Sequence, residues 1–365
     1  MKANLKKSLP AAVADFIEGE IAAGRMRGRL PGERQLGAEL NVSRGSLRTA
    51  LAILRRRGVV NSRARLGSEA LGTRAASDRT IPSSIGILAP IALETHRLFY
   101  ALELEKIREL LQPLGLEVAT HYGRAFFTRN PKRALQRLTE KNPHRCWILF
   151  LSTPGTQRWF AASGLPCMVA GSCLVDVDLP FVDLDQCAMG RHAAGLVVRH
   201  GHRTVALLCR HEESPGLVHG REGFVEQCAA LDHAGVHVAI IRHDDTVNGV
   251  AGAVRRALKA NPRPTILVVE TPNQYLVAQT TLQAMRLTIP ADVSLLSRSS
   301  EPFLDFLLPA PVRYHVDPQA QASKIVHVVK HFLDDQVPPA RRLLMMPELV
   351  GGHSVGPPAS ARAAE

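Results

Sequence analysis

The 365-residue chain has no run of about 18 or more apolar residues, so no segment is expected to cross a bilayer as a helix. No secretory leader is expected at its N-terminal end either. Lys2, Lys6 and Lys7 are followed by Asp15, Glu18 and Glu20 rather than by an apolar core, and a cytoplasmic protein is the expectation. Paired cysteines are missing. Cys146, Cys167, Cys173, Cys187, Cys209 and Cys228 are scattered without a Cys-x-x-Cys, and several sit in apolar runs, as reduced core thiols do. Catalytic signatures are missing too: no glycine-rich phosphate loop, no Gly-x-Ser-x-Gly and no His-Glu-x-x-His. His200-x-His202 has no third ligand at useful spacing, so no metal is expected. No enzyme activity and no cofactor are expected from this chain.

Positive charge is present but uneven. Residues 1–80 hold 16 Lys and Arg against 7 Asp and Glu, and the remainder holds 29 against 26. Most of the net charge of +12 therefore sits on the first fifth of the chain. A polyphosphate attracts such a module through counterion release, whereas a uniformly basic surface would speak only of solubility. The length suits two or three compact units.

The stretch from Leu30 to Val60, LPGERQLGAELNVSRGSLRTALAILRRRGVV, predicts two short helices. GERQLGAEL is the first and Asn41-Val42 the break. Ser43 is a good N-cap for the second, because its hydroxyl can accept from an orphan N–H of the first turn. Leu47, Leu51 and Leu54 fall at i, i+4 and i+7 with Ala50 beside them, giving one buried stripe. Arg44, Ser46 and Arg48 lie off that stripe near the helix N-terminus. A helix-turn-helix reaches base edges and phosphates with that end of its second helix. A preceding helix opens at Pro10, with Val13, Phe16, Ile17 and Ile21 as its apolar stripe. Gly24 to Arg29 then reads as a basic loop.

Through Leu30-Pro31-Gly32-Glu33-Arg34, Leu36, Leu40, Val42-Ser43-Arg44, Arg48, Ala50-Leu51, Leu54 and Gly58-Val59-Val60, this stretch resembles the DNA-binding domain of the GntR family of bacterial transcription regulators. The resemblance implies a winged helix-turn-helix over residues 1–72, with Arg34, Ser43, Arg44, Gly45, Ser46 and Arg48 at the DNA. Ser43, Gly45 and Ser46 would let the helix N-terminus approach phosphates, which its dipole favours. It also implies a hairpin wing in NSRARLGSEALG, with Arg65 and Gly67 towards its tip. The usual Gly-x-Gly-Thr is here Leu66-Gly67-Ser68. Arg55, Arg56 and Arg57 read as a solvated run compensating the helix dipole.

Residues 73–83 are small, polar and without period, as a linker is. From Ser84 the pattern changes. SIGILAP, LEVATHY, CWILFLS, PCMVAG, FVDLD, TVALLC, HVAIIR, TILVVE, DVSLLS and VRYHV read as buried strands. Helices lie between them, for example Phe99–Leu111, Gln186–His200 and Asn273–Met285. Strands buried on both faces, alternating with helices, imply parallel sheets with right-handed crossovers. Ten strands suit two doubly wound lobes with a ligand cleft at their strand C-terminal ends. The expected fold is therefore α/β: a winged helix-turn-helix, then a two-lobed domain over residues 84–356 and a disordered tail at 357–365.

Through Ile85-Gly86-Ile87, Val182-Asp183-Leu184-Asp185 with Gly190, His200 to Ala206, Glu222-Gly223-Phe224, Ile289 to Ser294 and Glu348-Leu349-Val350, this region resembles the effector domain of LacI-type repressors, which share the periplasmic-binding-protein fold. Gly201 is the expected C′ residue closing a helix. The positions implied to face an effector are His96, Arg97, Phe99, Arg221, Glu270, Asn273 and Ser299. The chain departs from the family pattern in three places. An Arg expected three residues before Gly223 is Gly220; the usual Asn-Asp is Thr271-Pro272; the usual Gly-Phe-Asp-Asp is Ser297-Arg298-Ser299-Ser300. Loss of acidic positions argues against an ordinary free sugar. An anionic effector paired to Arg221 or Arg298, or a sugar held by Glu270 and Asn273, are both open on the sequence.

Together these features describe a DNA-binding regulator, expected to be a repressor and a homodimer on a palindromic operator, controlled by a small effector such as a sugar or sugar derivative. A small-molecule binding protein or an enzyme on the same scaffold, with no DNA role, is the competing reading.

Overall fold

The computed structural model describes residues 9–22, 25–26, 28–57, 59–63, 67–70, 83–211, 214–231, 235–333 and 342–359. The expected linker (apart from Ser83), Arg65, Gly58 and residues 360–365 lie outside them.

The N-terminal unit contains α1 (Leu9–Ala22), β1 (Gly28–Arg29), α2 (Glu33–Glu39), α3 (Arg44–Arg56), β2 (Val60–Arg63) and β3 (Gly67–Ala70). The three strands pair antiparallel in the order β1-β3-β2. The wing is thus a hairpin, in register Arg63↔Gly67, and the expected basic loop ends in its third strand. Asn41 adopts a positive φ of 52° at the break between α2 and α3, a conformation its short polar side chain tolerates. Leu47, Leu51 and Leu54 are at most 2% exposed and pack with Val13, Ile17 and Ile21 of α1 and Leu36 of α2. Each such buried side chain stabilises by about 1.5–3 kcal/mol. Phe16 corrects the sequence reading: it is 52% exposed, and Ala11 and Ala14 take the inward positions. It lies one residue, about 100°, from Ile17 around the helix, outside the stripe.

The remainder is two lobes. The first comprises β4 (Ser84–Ala89), α4 (Leu93–His96), α5 (Leu98–Leu111), β5 (Glu117–Tyr122), α6 (Lys132–Lys141), β6 (Trp147–Phe150), α7 (Pro154–Ser163), β7 (Cys167–Ala170) and β8 (Phe181–Leu184). The chain crosses to the second lobe with α8 (Gln186–Arg199), β9 (Thr204–Arg210), α9 (Pro215–Ala230), β10 (His237–His243), α10 (Val247–Leu258), β11 (Ile266–Val269), α11 (Pro272–Ala284), β12 (Ser294–Ser297) and β13 (Val312–His315). It returns for α12 (Pro318–Leu333) and β14 (Arg342–Met345), and ends in the second lobe with β15 (Glu348–Val350).

The sheet orders are β14-β8-β7-β6-β4-β5 and β10-β9-β11-β12-β13-β15. All pairings are parallel except β13 with β15. The ten expected strands are all present; the inner ones are covered on both faces by apolar clusters and so read as continuous apolar runs. The two additional strands, β14 and β15, are edge strands. Three crossovers join the lobes, and two of them are tied by Asp185 N–H donating to the Met345 carbonyl at 2.8 Å. Gly201 takes a φ of +88° after α8, as a C′ glycine does. Of the expected tail, Pro358 is buried. Among the described residues no helix is long and apolar enough to cross a membrane.

Candidate DNA-binding face and interlobe site

The N-terminal end of α3 is built by Ser43. Its hydroxyl accepts from Ser46 N–H at 3.1 Å and lies 2.9 Å from the Ser46 hydroxyl. That cap frees the rest of the turn to face outward. Arg34, Ser43, Arg44, Gly45 and Arg48 are exposed and Ser46 half-buried. A Cβ at Gly45 would meet nothing nearer than Ser43 Oγ at 3.8 Å. The fold does not require glycine there, and its absence of side chain opens the helix end to close approach. Arg48 Nε donates to Glu33 Oε2 at 3.2 Å. Both groups are exposed enough for the pair to contribute about 0–1 kcal/mol, so a phosphate can displace it. Gly67 is on the wing hairpin in β3.

Arg57 behaves otherwise than expected. Its Nη1 lies 2.6 Å from both Asp15 Oδ1 and Glu18 Oε2, with the arginine side chain 22% exposed. It ties the end of α3 to α1 instead of forming part of a solvated run.

The interlobe site gathers several of the expected effector residues. Arg97, at the start of α5 in the first lobe, reaches across to the loop after β12. Its Nε donates to Glu301 Oε1 at 2.7 Å, and its Nη2 to Ser299 Oγ at 3.2 Å and the Ser300 carbonyl at 3.1 Å. Arg97 and Ser299, both expected to touch an effector, thus touch each other. Phe99 supports the arginine, whose guanidinium carbon lies 5.9 Å from its ring centroid. His96 is exposed and stacks on Tyr100 at 5.8 Å. Partial burial, then the nearby Arg97 and Arg210, push its pKa below the usual imidazole value.

Deeper in the second lobe, Glu270 is 4% exposed at the end of β11. Its Oε2 accepts from the Arg210 backbone N–H at 3.3 Å and lies 3.9 Å from Arg210 Nε. Arg210 also faces Asp245 at 3.7 Å. Asn273 is exposed on α11. Its neighbour Gln274 is the buried amide: Oε1 accepts from Glu270 N–H at 2.9 Å and Nε2 donates to Asp245 at 2.9 Å. Arg221 is half-buried on α9 and repels Arg298. Sequence reasoning passed over Arg210, Gln274 and Glu301. Arg210 ends a buried strand, where ligands of such sheets gather, and that was a usable signal.

Beside the crossovers lies a cavity of about 390 Å³. The first lobe contributes Ser172 and Asp183, the second Gly216 and His219 of α9, and the first crossover Asp185 and Gln186. Ser172 Oγ donates to Asp183 Oδ2 at 2.6 Å, and burial raises the Asp183 pKa. A Cβ at Gly216 would lie 2.6 Å from Ser172 Oγ, so glycine there lets α9 close on the first lobe. None of the seven expected effector residues lines this cavity. Among the described residues no group of three His, Cys, Asp or Glu could hold a metal ion.

Residues 10–69 match the family model of bacterial regulatory proteins of the gntR family, and residues 194–355 match that of the periplasmic binding protein-like domain. No curated protein matches the chain. Among solved structures it is similar to a LacI family transcriptional regulator from Bifidobacterium animalis subsp. lactis, with 16% identity and a TM-score of 0.66 over 76% of this chain and 99% of that one. It is similar to a probable maltose operon transcriptional repressor from Staphylococcus, with 15% identity and a TM-score of 0.65 over 75% and 98%. A LacI family regulator from Arthrobacter sp. in complex with lactose gives 16% identity and a TM-score of 0.60 over 75% and 99%. At these identities the solved structures establish the two-lobed fold.

Proposed function

We propose that this chain, a DNA-binding transcription regulator that joins a gntR-type helix-turn-helix domain to a periplasmic-binding-protein-like domain and is not an enzyme, is a repressor released by a small effector. In this reading residues 1–72 bind DNA and residues 84–356 bind the effector and a second copy of the chain. The protein acts in the cytoplasm as a homodimer on a palindromic operator, because one recognition helix reads too few bases for useful specificity. The effector is a sugar or sugar derivative bound between the lobes. The observation that carries this reading is the pairing of an outward-facing α3 N-terminus with lobes that meet across polar groups, Arg97 on one side and Glu301, Ser299 and Ser300 on the other. The similar fold of a maltose operon repressor and of a regulator holding lactose supports the assignment of repression and of a sugar-like ligand.

An effector moves the operator equilibrium only if it prefers one arrangement of the lobes. The Arg97 contact is the part of the described structure that such a ligand must keep or replace. The test is a fluorescence anisotropy titration of the protein on DNA from around its own gene, repeated with a panel of sugars, sugar acids and sugar phosphates. Release by at least one member, with unchanged binding to a non-operator fragment, supports the reading. Tight operator binding that no member alters refutes the proposed effector class.

A further inference from the structure

Arg298 stands where β12 ends. It is 5% exposed. Its Nε has no hydrogen-bond partner among the described residues, and among those residues its side chain makes one long bond, from Nη2 to Gln186 Oε1 at 3.4 Å. A guanidinium carries five donors and no acceptor, and leaving the buried Nε–H unmet is costly. The place it occupies is made by a missing side chain. A Cβ at Gly220 would lie 1.7 Å from Arg298 Nη2 and 2.9 Å from its Cζ. Any other residue at 220 would evict the guanidinium.

The same helix face links that guanidinium to the interlobe cavity. Gly216, His219 and Gly220 stand at i, i+3 and i+4 on α9, hence side by side. The first two line the cavity, as does Gln186, the acceptor of the Arg298 bond. Arg298 therefore lies directly behind the cavity wall, and its neighbour Ser299 bonds Arg97 across the lobes. Glu270 attracts it and Arg221 repels it.

We propose that Arg298 is an effector-binding residue and that the effector carries an anionic group, a carboxylate or a phosphate. Such a group supplies the paired, charged acceptors that a guanidinium fork fits best. Gln186 is the gate between the cavity and the arginine, and Gly220 is the residue whose smallness permits the arrangement. This deepens the proposed function and rests on the interlobe region being the effector site.

The test is thermal unfolding of the full chain in potassium phosphate against potassium chloride at equal ionic strength, then with gluconate, glucose 6-phosphate and glucose. The Arg44→Ala/Arg48→Ala variant removes anion binding at the DNA face as a source of the effect. At least one of phosphate, gluconate and glucose 6-phosphate is expected to protect wild type and this variant, and the two sugar derivatives distinguish carboxylate from phosphate. Arg298→Gln should weaken that protection about tenfold or more in apparent affinity, and Arg298→Lys should restore part of it. Gly220→Ala keeps every charge, so its loss of protection would point to the guanidinium's position. Equal protection of Arg298→Gln and wild type overturns the proposal, as does no protection by any of the three anions. Protection by glucose alone overturns it too, while leaving the interlobe effector site standing.

Discussion

Glu103 on α5 is fully buried, and neither carboxylate oxygen has a hydrogen-bond partner among the described residues. Burial raises its pKa from an ordinary 4.5 to about 8. The folded protein therefore keeps a proton that the unfolded chain releases between those values. Stability from this group is complete below about pH 4.5 and is lost as pH rises towards 8. At pH 7 the difference of two to three pH units costs about 3 kcal/mol, at 1.36 kcal/mol per unit. Glu103→Gln has nearly the same shape and does not titrate. The variant should match wild type near pH 4.5 and exceed it by about 3 kcal/mol at pH 7, the gap widening by about 1.4 kcal/mol per pH unit. Thermal unfolding followed by circular dichroism reads this as a melting-point gap of about 2–4 °C for each kcal/mol in a unit of this size. A gap that stays constant from pH 5 to pH 7.5 would refute the reasoning.

Other expectations follow from single contacts. Arg97→Ala leaves Glu301, 9% exposed, without its cross-lobe partner and should shift lobe opening by about 1–2 kcal/mol. Hydrogen exchange in residues 296–306 should rise about 5–30-fold, and the effect should shrink in an E301Q background; an undiminished effect there excludes the pair as the cause. Arg57→Ala should destabilise the N-terminal unit by about 1–2 kcal/mol, seen by calorimetry as an earlier first transition, whereas an unchanged transition would return Arg57 to the solvated run. A Cβ at Gly223 would sit 2.4 Å from the Cys187 carbonyl oxygen, so Gly223→Ala should cost about 1–3 kcal/mol by forcing α8 and α9 apart. A wild-type urea midpoint for that variant would show that the helices can yield.

Legibility followed burial. The inner strands were readable because they are sandwiched between helices and are apolar nearly throughout. β14 was not, because its residues alternate between exposed and half-buried in too short an edge segment to signal a strand. The recognition helix was readable down to its cap, since Ser43 and the Leu47–Leu51–Leu54 stripe act locally. Arg57 was not, because Asp15 and Glu18 are about 40 residues away and only tertiary packing brings them near. At the interlobe site, the family resemblance pointed to Arg97, Glu270 and Ser299. The choice between Asn273 and Gln274 depended on which side of α11 faces Asp245. The relation of Arg298 to Gly220 spans 78 positions, and no periodicity carries it.

The measurement that bears most directly on the central claim is binding of the full chain to DNA from around its own gene at 50 and 200 mM salt, with the Arg44→Ala/Arg48→Ala variant alongside. Fragment-selective binding is expected, weakening by about 10³–10⁵-fold over that range if roughly 6–10 phosphates are contacted, and lost in the variant. Equal affinity for all fragments, or equal binding by the variant, would contradict the assignment of the α3 N-terminus as the surface that reads DNA.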